Sequence, residues 1–253
     1  MVRHLKVPNS DSICAYGLSA AYPTQVYAAS SAGPLYHWDW RSGEMIEVSS
    51  ISPGVSDLSV LPFELNRKKR DLTFTLHSEP TYTMRAYRTP KNSLLESLEE
   101  WTILNSKSKL EFFQVANDGK VVAIAAGNFI IIGITETLDA ESLKSLTYVW
   151  RQVMVSERVH SLTLRVRQLS SAKRGSLWAS GIGLDIAIGG GTGVISVFDN
   201  VLNNLLDQER AKTRDGKTVV PRRMHWHREP VNTIHWSADG MWDFINMNRC
   251  FAY

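Results

Sequence analysis

The chain has 253 residues, of which 43% are hydrophobic, so it carries enough apolar material for one large domain or two small ones. Its 28 basic and 25 acidic side chains leave a formal charge of only +3, which is too small to identify a nucleic-acid-binding protein. The two cysteines, Cys14 and Cys250, match no metal or redox spacing, and no long apolar run or signal peptide occurs. These features predict a soluble intracellular protein without a disulfide framework.

Short segments rich in Val, Ile, Thr and aromatic residues alternate with Gly, Pro, Asn, Asp and Ser, and this pattern predicts an all-β fold. In chain order, the predicted innermost strands of successive sheets are residues 13–19, 55–61, 110–116, 159–166 and 231–236. The predicted inner hairpins are residues 26–39, 72–87, 121–134 and 186–199. Among the remaining segments, 93–101 predicts a helical turn or an irregular outer strand, 170–176 a loop, and 202–212 a short helix.

Two of these hairpins, residues 26–39 and 186–199, align without a gap. Each consists of a strand, a turn of small residues that contains glycine, and a second strand that ends in an aromatic residue followed by aspartate. Because glycine tolerates a positive φ, the pattern predicts a tight turn. It is typical of the inner half of a propeller blade, with the aromatic and acidic positions at Trp38, Asp39, Phe198 and Asp199.

The segment 227–240 resembles the complementary part of a WD repeat, in which a histidine precedes the innermost strand and a Ser-x-Asp-Gly turn follows it. Its predicted structural residues are His227, Trp236, Ser237, Asp239 and Gly240. The histidine is expected to donate into a polar network with Ser, Asp and Trp side chains. This role explains it better than a metal site built from His225, His227 and His235.

Catalytic motifs are missing from the sequence. Residues 189–193 are rich in glycine, but no Gly-Lys-Ser or Gly-Lys-Thr and no helix follows, so a hairpin turn is predicted there rather than a phosphate-binding loop. There is no Gly-x-Ser-x-Gly elbow, no His-Glu-x-x-His and no carboxylate pair in a shared apolar setting. The sequence therefore predicts a protein that is not an enzyme, with no catalytic residue, no cofactor and no metal.

Together these patterns predict an all-β WD-repeat β-propeller that is incomplete, with about four blades and the start of a fifth. Residues 1–240 are predicted to form a partial N-terminal propeller. Residues 241–253 are predicted to be an aberrant C-terminal segment, caused by a frame change or a truncation, because the Ser-Gly-Gly turn expected after Gly240 does not occur.

Residues 11–16 and 35–43, and above all residues 221–227 leading into 231–240, resemble fungal Nan-type WD-repeat nuclear proteins. These are relatives of a human nucleolar WD-repeat protein of the transcription-coupled UTP-A subcomplex. The resemblance implies a non-catalytic scaffold in the small-subunit processome that supports early 18S rRNA processing and transcription by RNA polymerase I. It implies a nuclear and nucleolar location. The implied partners are other UTP-A subunits and small nucleolar ribonucleoproteins, with direct contact to pre-rRNA left open and no membrane or small-molecule substrate.

Basic side chains in loops can contact RNA phosphates or protein partners without reading a sequence. The candidates are Arg67, Lys68, Lys69, Arg70, Lys173, Arg174, Lys212, Arg214, Arg222 and Arg223. The first four form the densest basic run and lie between two strand-like segments, where a surface loop is predicted. A solvated hairpin tip, nuclear import and phosphate contact are the alternative explanations of that run.

Two other functions are compatible with the same fold. A generic WD-repeat adaptor, such as a substrate receptor of a ubiquitin ligase or a chromatin-associated scaffold, would share the architecture but bind different partners. A propeller hydrolase would need clustered carboxylates or a nucleophile at the central channel, and no such residues stand out in the sequence.

Overall fold

The computed structural model describes residues 4–8, 11–19, 22–65, 68–78, 81–88, 99–116, 119–135, 147–168, 182–202, 220–225, 228–236 and 242–244. Within these ranges the β-strands number eighteen, labelled β1 to β18 in chain order. Val201 and Leu202 have helical geometry, and the rest of the predicted helix over residues 202–212 lies outside the described residues. No helix in the described ranges is long and apolar enough to cross a membrane.

The chain divides into two compact units, of which the first comprises residues 1–113 and 137–148. It contains two four-stranded antiparallel sheets in which each strand pairs with the next along the chain. The first sheet consists of β1 (Ile13–Leu18), β2 (Gln25–Ser30), β3 (Pro34–Asp39) and β4 (Met45–Ser50). The second sheet consists of β5 (Val55–Leu65), β6 (Lys68–His77), β7 (Tyr82–Arg88) and β8 (Glu99–Ser106).

The second unit comprises residues 114–136 and 149–253. The third sheet, whose first strand spans the boundary between the units, consists of β9 (Phe112–Ala116), β10 (Val121–Ala126), β11 (Phe129–Ile134) and β12 (Val149–Met154). The fourth sheet consists of β13 (Val159–Gln168), β14 (Ile182–Gly190), β15 (Val194–Phe198) and β16 (Arg222–His225). A two-stranded sheet follows, with β17 (Ile234–Trp236) paired with β18 (Trp242–Phe244).

The core of the first unit lies between its two sheets. Buried apolar side chains of both sheets meet in a cluster formed by Ala15, Tyr27, Ala29, Leu35, Ile51, Val55, Leu58, Val60 and Tyr87. Gly17 allows the closest approach, because a Cβ at that position would lie 2.9 Å from Leu58 Cδ2. Each fully buried large apolar side chain contributes on the order of 1.5–3 kcal/mol, so this interface is a main source of the unit's stability.

The core of the second unit is also formed by buried apolar side chains of its strands. All six residues of β10 are buried, as expected for a strand covered on both faces. The fourth sheet packs on the two-stranded sheet through Ala187, Ile195, Val197, Val231 and Ile234. Consecutive antiparallel four-stranded sheets that stack through their inner strands are the arrangement found in β-propeller blades.

The hairpins of the first and fourth sheets are equivalent residue by residue, as the gapless alignment predicted. Val26 pairs with Trp38 in the first sheet, and Ile186 pairs with Phe198 in the fourth. The turn glycine has a positive φ in both hairpins, 116° at Gly33 and 81° at Gly193. The innermost pairing has a β-bulge at the same place in both sheets, one residue after the first strand begins.

The predicted strands are confirmed within a few residues. Each of the five predicted innermost strands contains or overlaps an observed one, namely β1, β5, β9, β13 and β17, and the four inner hairpins are present. The outermost strands β4, β12 and β16 were not predicted. In the ambiguous segment 93–101 the described residues, 99–101, belong to β8, so the outer-strand alternative is correct there. Residues 169–181, which include the predicted loop 170–176, lie outside the described residues.

The predicted surface loop at the basic run is wrong for three of its four residues. Lys68, Lys69 and Arg70 belong to β6, and the hairpin ladder continues to the pair formed by Leu65 and Lys68. Backbone pairing therefore extends the hairpin beyond its apolar part.

Candidate functional site

The aspartate that ends the first-sheet hairpin stabilises the turn that follows it, between β3 and β4. Asp39 accepts hydrogen bonds from the backbone N–H groups of Arg41 and Ser42 through Oδ1, and from the Thr24 hydroxyl through Oδ2. The bond from Ser42, followed by that from Thr24, lowers the pKa of Asp39 below its ordinary value. Beside it Trp38 is buried and packs against Tyr36, with ring centroids 5.4 Å apart. Asp39 therefore joins the turn after β3 to Thr24, and Trp38 packs within the first sheet.

The aspartate of the fourth-sheet hairpin pairs instead with a neighbouring strand. Asp199 forms a bidentate ion pair with Arg222 of β16, with distances of 2.6 Å to Nε and 2.8 Å to an Nη atom. The aromatic residue before it, Phe198, is buried in the position equivalent to Trp38. The Arg222 side chain, one of the predicted RNA or partner contacts, is thus already paired with a carboxylate of its own sheet.

Most of the structural residues predicted in the segment 227–240 lie outside the residues that the structure describes. This is true of His227, Ser237, Asp239 and Gly240, so the polar network expected around the histidine stays a prediction. Trp236, at the end of β17, is half-buried, and the guanidinium carbon of Arg165 lies 4.6 Å from the centroid of its ring. This geometry is that of a cation–π contact between the fourth sheet and the two-stranded sheet.

A buried carboxylate joins the first two sheets. Asp71 of β6 is 3% exposed and accepts hydrogen bonds from the Ser19 hydroxyl, at 3.0 and 2.9 Å, and from the Tyr27 hydroxyl, at 2.9 Å. Because a buried carboxylate without donors is strongly destabilising, these bonds are needed to hold it there. Sequence reasoning missed Asp71, since it directly follows the basic run and resembles solvated surface.

A second polar cluster surrounds a buried histidine of the second sheet. His77 bonds through Nε2 to the Thr75 hydroxyl at 2.7 Å and through Nδ1 to the carbonyl oxygen of Pro53 at 3.1 Å. The Tyr87 hydroxyl lies 3.2 Å from the same Nε2. Desolvation lowers the pKa of His77 and raises the pKa of Tyr87 to about 12, so both side chains are neutral near pH 7.

The third polar cluster lies in the fourth sheet. The Asp185 side chain is fully buried and binds Arg165 at 2.9 Å and Arg167 at 2.7 Å, and it also accepts the backbone N–H of Asn200 at 2.9 Å. Burial alone would raise the pKa of Asp185, but the hydrogen bonds from Arg167 and Asn200 outweigh it and lower that pKa. The sequence signal for this cluster was an isolated aspartate in an apolar strand. The strand before it has arginines at alternate positions, Arg165 and Arg167.

A groove of about 270 Å³ lies between the third and fourth sheets, within the second unit. One wall is formed by residues 154–156 at the end of β12, and the other by side chains of β15, β16 and the segment that precedes β16. Phe198 lies against it, and Met154 and Val220 at its margins are 67% and 80% exposed. Arg223 is the one charged side chain among the described lining residues.

The two adjacent arginines of β16 have different surroundings. Arg222 pairs in register with Val197 and Arg223 with Ser196, so the two side chains point to opposite faces of the sheet. The Arg222 side chain binds Asp199, whereas the Arg223 side chain is exposed and forms no hydrogen bond or ion pair with any residue that the structure describes. Of the two, Arg223 is therefore the better candidate for contact with a partner.

The side chains of the other predicted contacts are not among those that the structure describes. Lys68, Lys69 and Arg70 lie on the described backbone of β6, and the remaining candidates, Arg67, Lys173, Arg174, Lys212 and Arg214, lie outside the described residues. In the described ranges, no group of three or more histidine, cysteine or acidic side chains could hold a metal ion. The described polar clusters around Asp71, His77 and Asp185 all connect strands.

No protein-family model and no curated protein matches the chain. Among solved structures, the chain is similar to the crystal structure of Raptor from Chaetomium thermophilum, with a TM-score of 0.55 and 20% sequence identity. The match covers 90% of this chain and 18% of that one, so the chain spans less than a fifth of the length of that protein. At this identity the similarity concerns the fold alone, and it agrees with an all-β arrangement of successive sheets.

Proposed function

We propose that the chain is a WD-repeat β-propeller scaffold, with four blades and the start of a fifth, which binds partners and does not catalyse a reaction. The observation that carries this proposal is the residue-by-residue equivalence of the hairpins 26–39 and 186–199 in two separate four-stranded sheets. Repetition of one blade-like unit, with polar clusters that connect strands, is typical of a rigid platform whose loops and outer strands bind partners.

Within this class, we propose a role in early small-subunit pre-rRNA processing in the nucleolus, coupled to transcription by RNA polymerase I. The support is the resemblance of residues 221–227 and 231–240 to nucleolar WD-repeat proteins. The described parts of that stretch form β16 and β17, and they include the exposed Arg223. The expected partners are other UTP-A subunits and small nucleolar ribonucleoproteins, with pre-rRNA as a further candidate.

The test is to tag the protein in its native cell, image it, and identify the proteins and RNA that co-purify with it. The proposal predicts a nucleolar signal, enrichment of UTP-A subunits and 18S precursors over a tag-only control, and accumulation of unprocessed precursor when the protein is depleted. A diffuse cytoplasmic signal with no enrichment of precursor RNA would contradict the ribosomal role and leave the scaffold class standing.

A generic WD-repeat adaptor is the second candidate, and one observation favours it. Arg222 is already neutralised by Asp199, and the groove beside Arg223 is mainly apolar, which suits a protein segment better than a phosphate backbone. Under this alternative, the same purification would recover ubiquitin-ligase or chromatin proteins and no pre-rRNA. Quantitative mass spectrometry of the complexes separates the two functions.

A further inference from the structure

We propose that the groove between β12 and β16 binds an extended protein segment in which an apolar side chain lies next to a carboxylate. The apolar side chain would enter between Met154, Val220 and Phe198, and the carboxylate would pair with Arg223. This inference rests on the proposed scaffold function and identifies the chemistry of one partner. It assigns no role to the residues outside the described ranges.

Exposure of the apolar margin is the first argument. Val220 is 80% exposed and Met154 is 67% exposed, although both lie beside the buried ring of Phe198. A single exposed apolar residue is ordinary, but two that converge on one concave site expose apolar surface that a partner can bury. Methionine adapts its shape to different side chains, which is common at peptide-binding surfaces.

The size of the groove is the second argument. Its volume of about 270 Å³ falls just below the ~300–1,000 Å³ range of sites for whole small molecules. It also opens between two outermost strands, where a chain can pass along the surface. A segment that inserts one side chain and continues past the groove fits these dimensions better than a cofactor does.

Charge complementarity is the third argument, and it selects the partner. Arg223 is the one charged residue among the described lining, and no described carboxylate neutralises it. Two carboxylates of the second unit are engaged with other residues, since Asp199 binds Arg222 and Glu157 accepts hydrogen bonds from Thr192. A guanidinium beside an apolar pocket forms a charge-assisted pair with an acidic group of the ligand.

The experiment measures binding of short synthetic peptides to the full chain by fluorescence anisotropy. The probe has the sequence Gly-Asp-Leu-Glu-Phe-Asp-Gly, and the control peptides replace the two apolar residues with serine or the acidic residues with lysine. The protein variants are Arg223→Glu and Val220→Asp, with Arg228→Glu as the matched control, because Arg228 is also an exposed arginine of the second unit. Thermal unfolding of every variant checks that the fold is retained.

We expect the probe to bind, both control peptides to bind at least about tenfold more weakly, and Arg228→Glu to leave binding unchanged. Arg223→Glu and Val220→Asp should each weaken binding of the probe by about tenfold or more. Because Val220 is so exposed, its substitution tests the site even if Arg223→Glu alters the fold.

Three results would overturn the proposal: no binding of the probe, equal binding of all three peptides, or equal loss with Arg228→Glu. Binding of a single-stranded uridine oligonucleotide that Arg223→Glu abolishes, without binding of the probe, would assign Arg223 to RNA instead. None of these results bears on whether the protein co-purifies with processome components, so the scaffold function is tested separately.

Discussion

The hairpins of the first and fourth sheets have equivalent backbone pairing, but different side-chain contacts stabilise them. The turn glycine, the pairing register and the bulge in the preceding strand agree between them. In the first sheet the polar contacts join Asp39 to the following turn, His37 to Gln25, and Tyr27 to Asp71 of the second sheet. In the fourth they connect to arginines on the flanking strands. Backbone requirements therefore define this repeat, and the side-chain chemistry varies within it.

The largest expected difference is in the response to pH. His37 and Val197 occupy equivalent positions, facing Tyr27 and Ala187. Desolvation lowers the pKa of His37 from 6.5 to about 4, and its ring stacks on Tyr27 with centroids 4.1 Å apart. Between these two pH values the unfolded chain binds a proton at this residue and the folded chain does not, so stability falls as pH falls.

This effect should amount to about 3 kcal/mol between pH 7 and pH 4. The measurement is urea unfolding across that range for the natural chain and for His37→Val, which should show a weaker pH dependence. His225→Val, which removes an exposed histidine, is the control. Equal pH dependence in all three proteins would show that His37 is not desolvated.

The next difference concerns the residue that precedes each hairpin, Gln25 in the first sheet and Asp185 in the fourth. Asp185→Asn removes the charge that two arginines share, and because those arginines are 28% and 40% exposed we expect a loss of about 2 kcal/mol. Gln25→Ala removes only the contact with His37 Nε2 and should cost about 1 kcal/mol. Unfolding free energies in urea measure both changes, and a larger loss at Gln25 would reverse the comparison.

A smaller effect is expected where the first sheet has Ala29 and the fourth has Gly189. A Cβ at Gly189 would lie 2.4 Å from Ser161 Oγ and 2.5 Å from the carbonyl oxygen of Val231. Gly189→Ala should therefore overpack the interface and cost about 1–2 kcal/mol. The reverse change, Ala29→Gly, should cost about 1 kcal/mol through backbone entropy. Thermal unfolding distinguishes the two, and a neutral Gly189→Ala would mean that Val231 can move away.

The smallest effect is expected at the two aspartates. Asp199 and Arg222 are 45% and 64% exposed, so Asp199→Asn should cost no more than about 0.5 kcal/mol, and that cost should disappear in concentrated NaCl. Asp39→Asn disturbs bonds to backbone N–H groups, and its effect on the melting temperature should persist in salt. A salt-sensitive Asp39→Asn would contradict this assignment of roles.

The sequence allowed the inner strands to be predicted because both faces or one face of each is buried, which produces continuous or alternating apolar runs. The outer strands β4 and β16 were missed because they are partly solvated on both faces. Met45, Ile46 and Val48 are all about half-exposed, so their order carries no period of two.

The candidate site was harder to predict than the fold. Arg222 and Arg223 are the same residue type in adjacent positions, and only the pairing register shows which one binds Asp199. Asp71 and Asp185 are buried because donors far away in sequence reach them, at separations that the local pattern does not contain. For Asp185 the alternating arginines of the preceding strand were a signal, whereas the donors to Asp71 leave none in the local pattern.

Because side chains alternate along β16, the residue that faces the groove depends on the pairing register of β16 against β15. A slip of one residue against β15 would exchange the two guanidinium groups, because successive residues of a strand point in opposite directions. The exposed ion pair with Asp199 would then break, and the wrong side chain would line the groove. The pairing register of β16 thus decides which of the two arginines a neighbouring molecule meets.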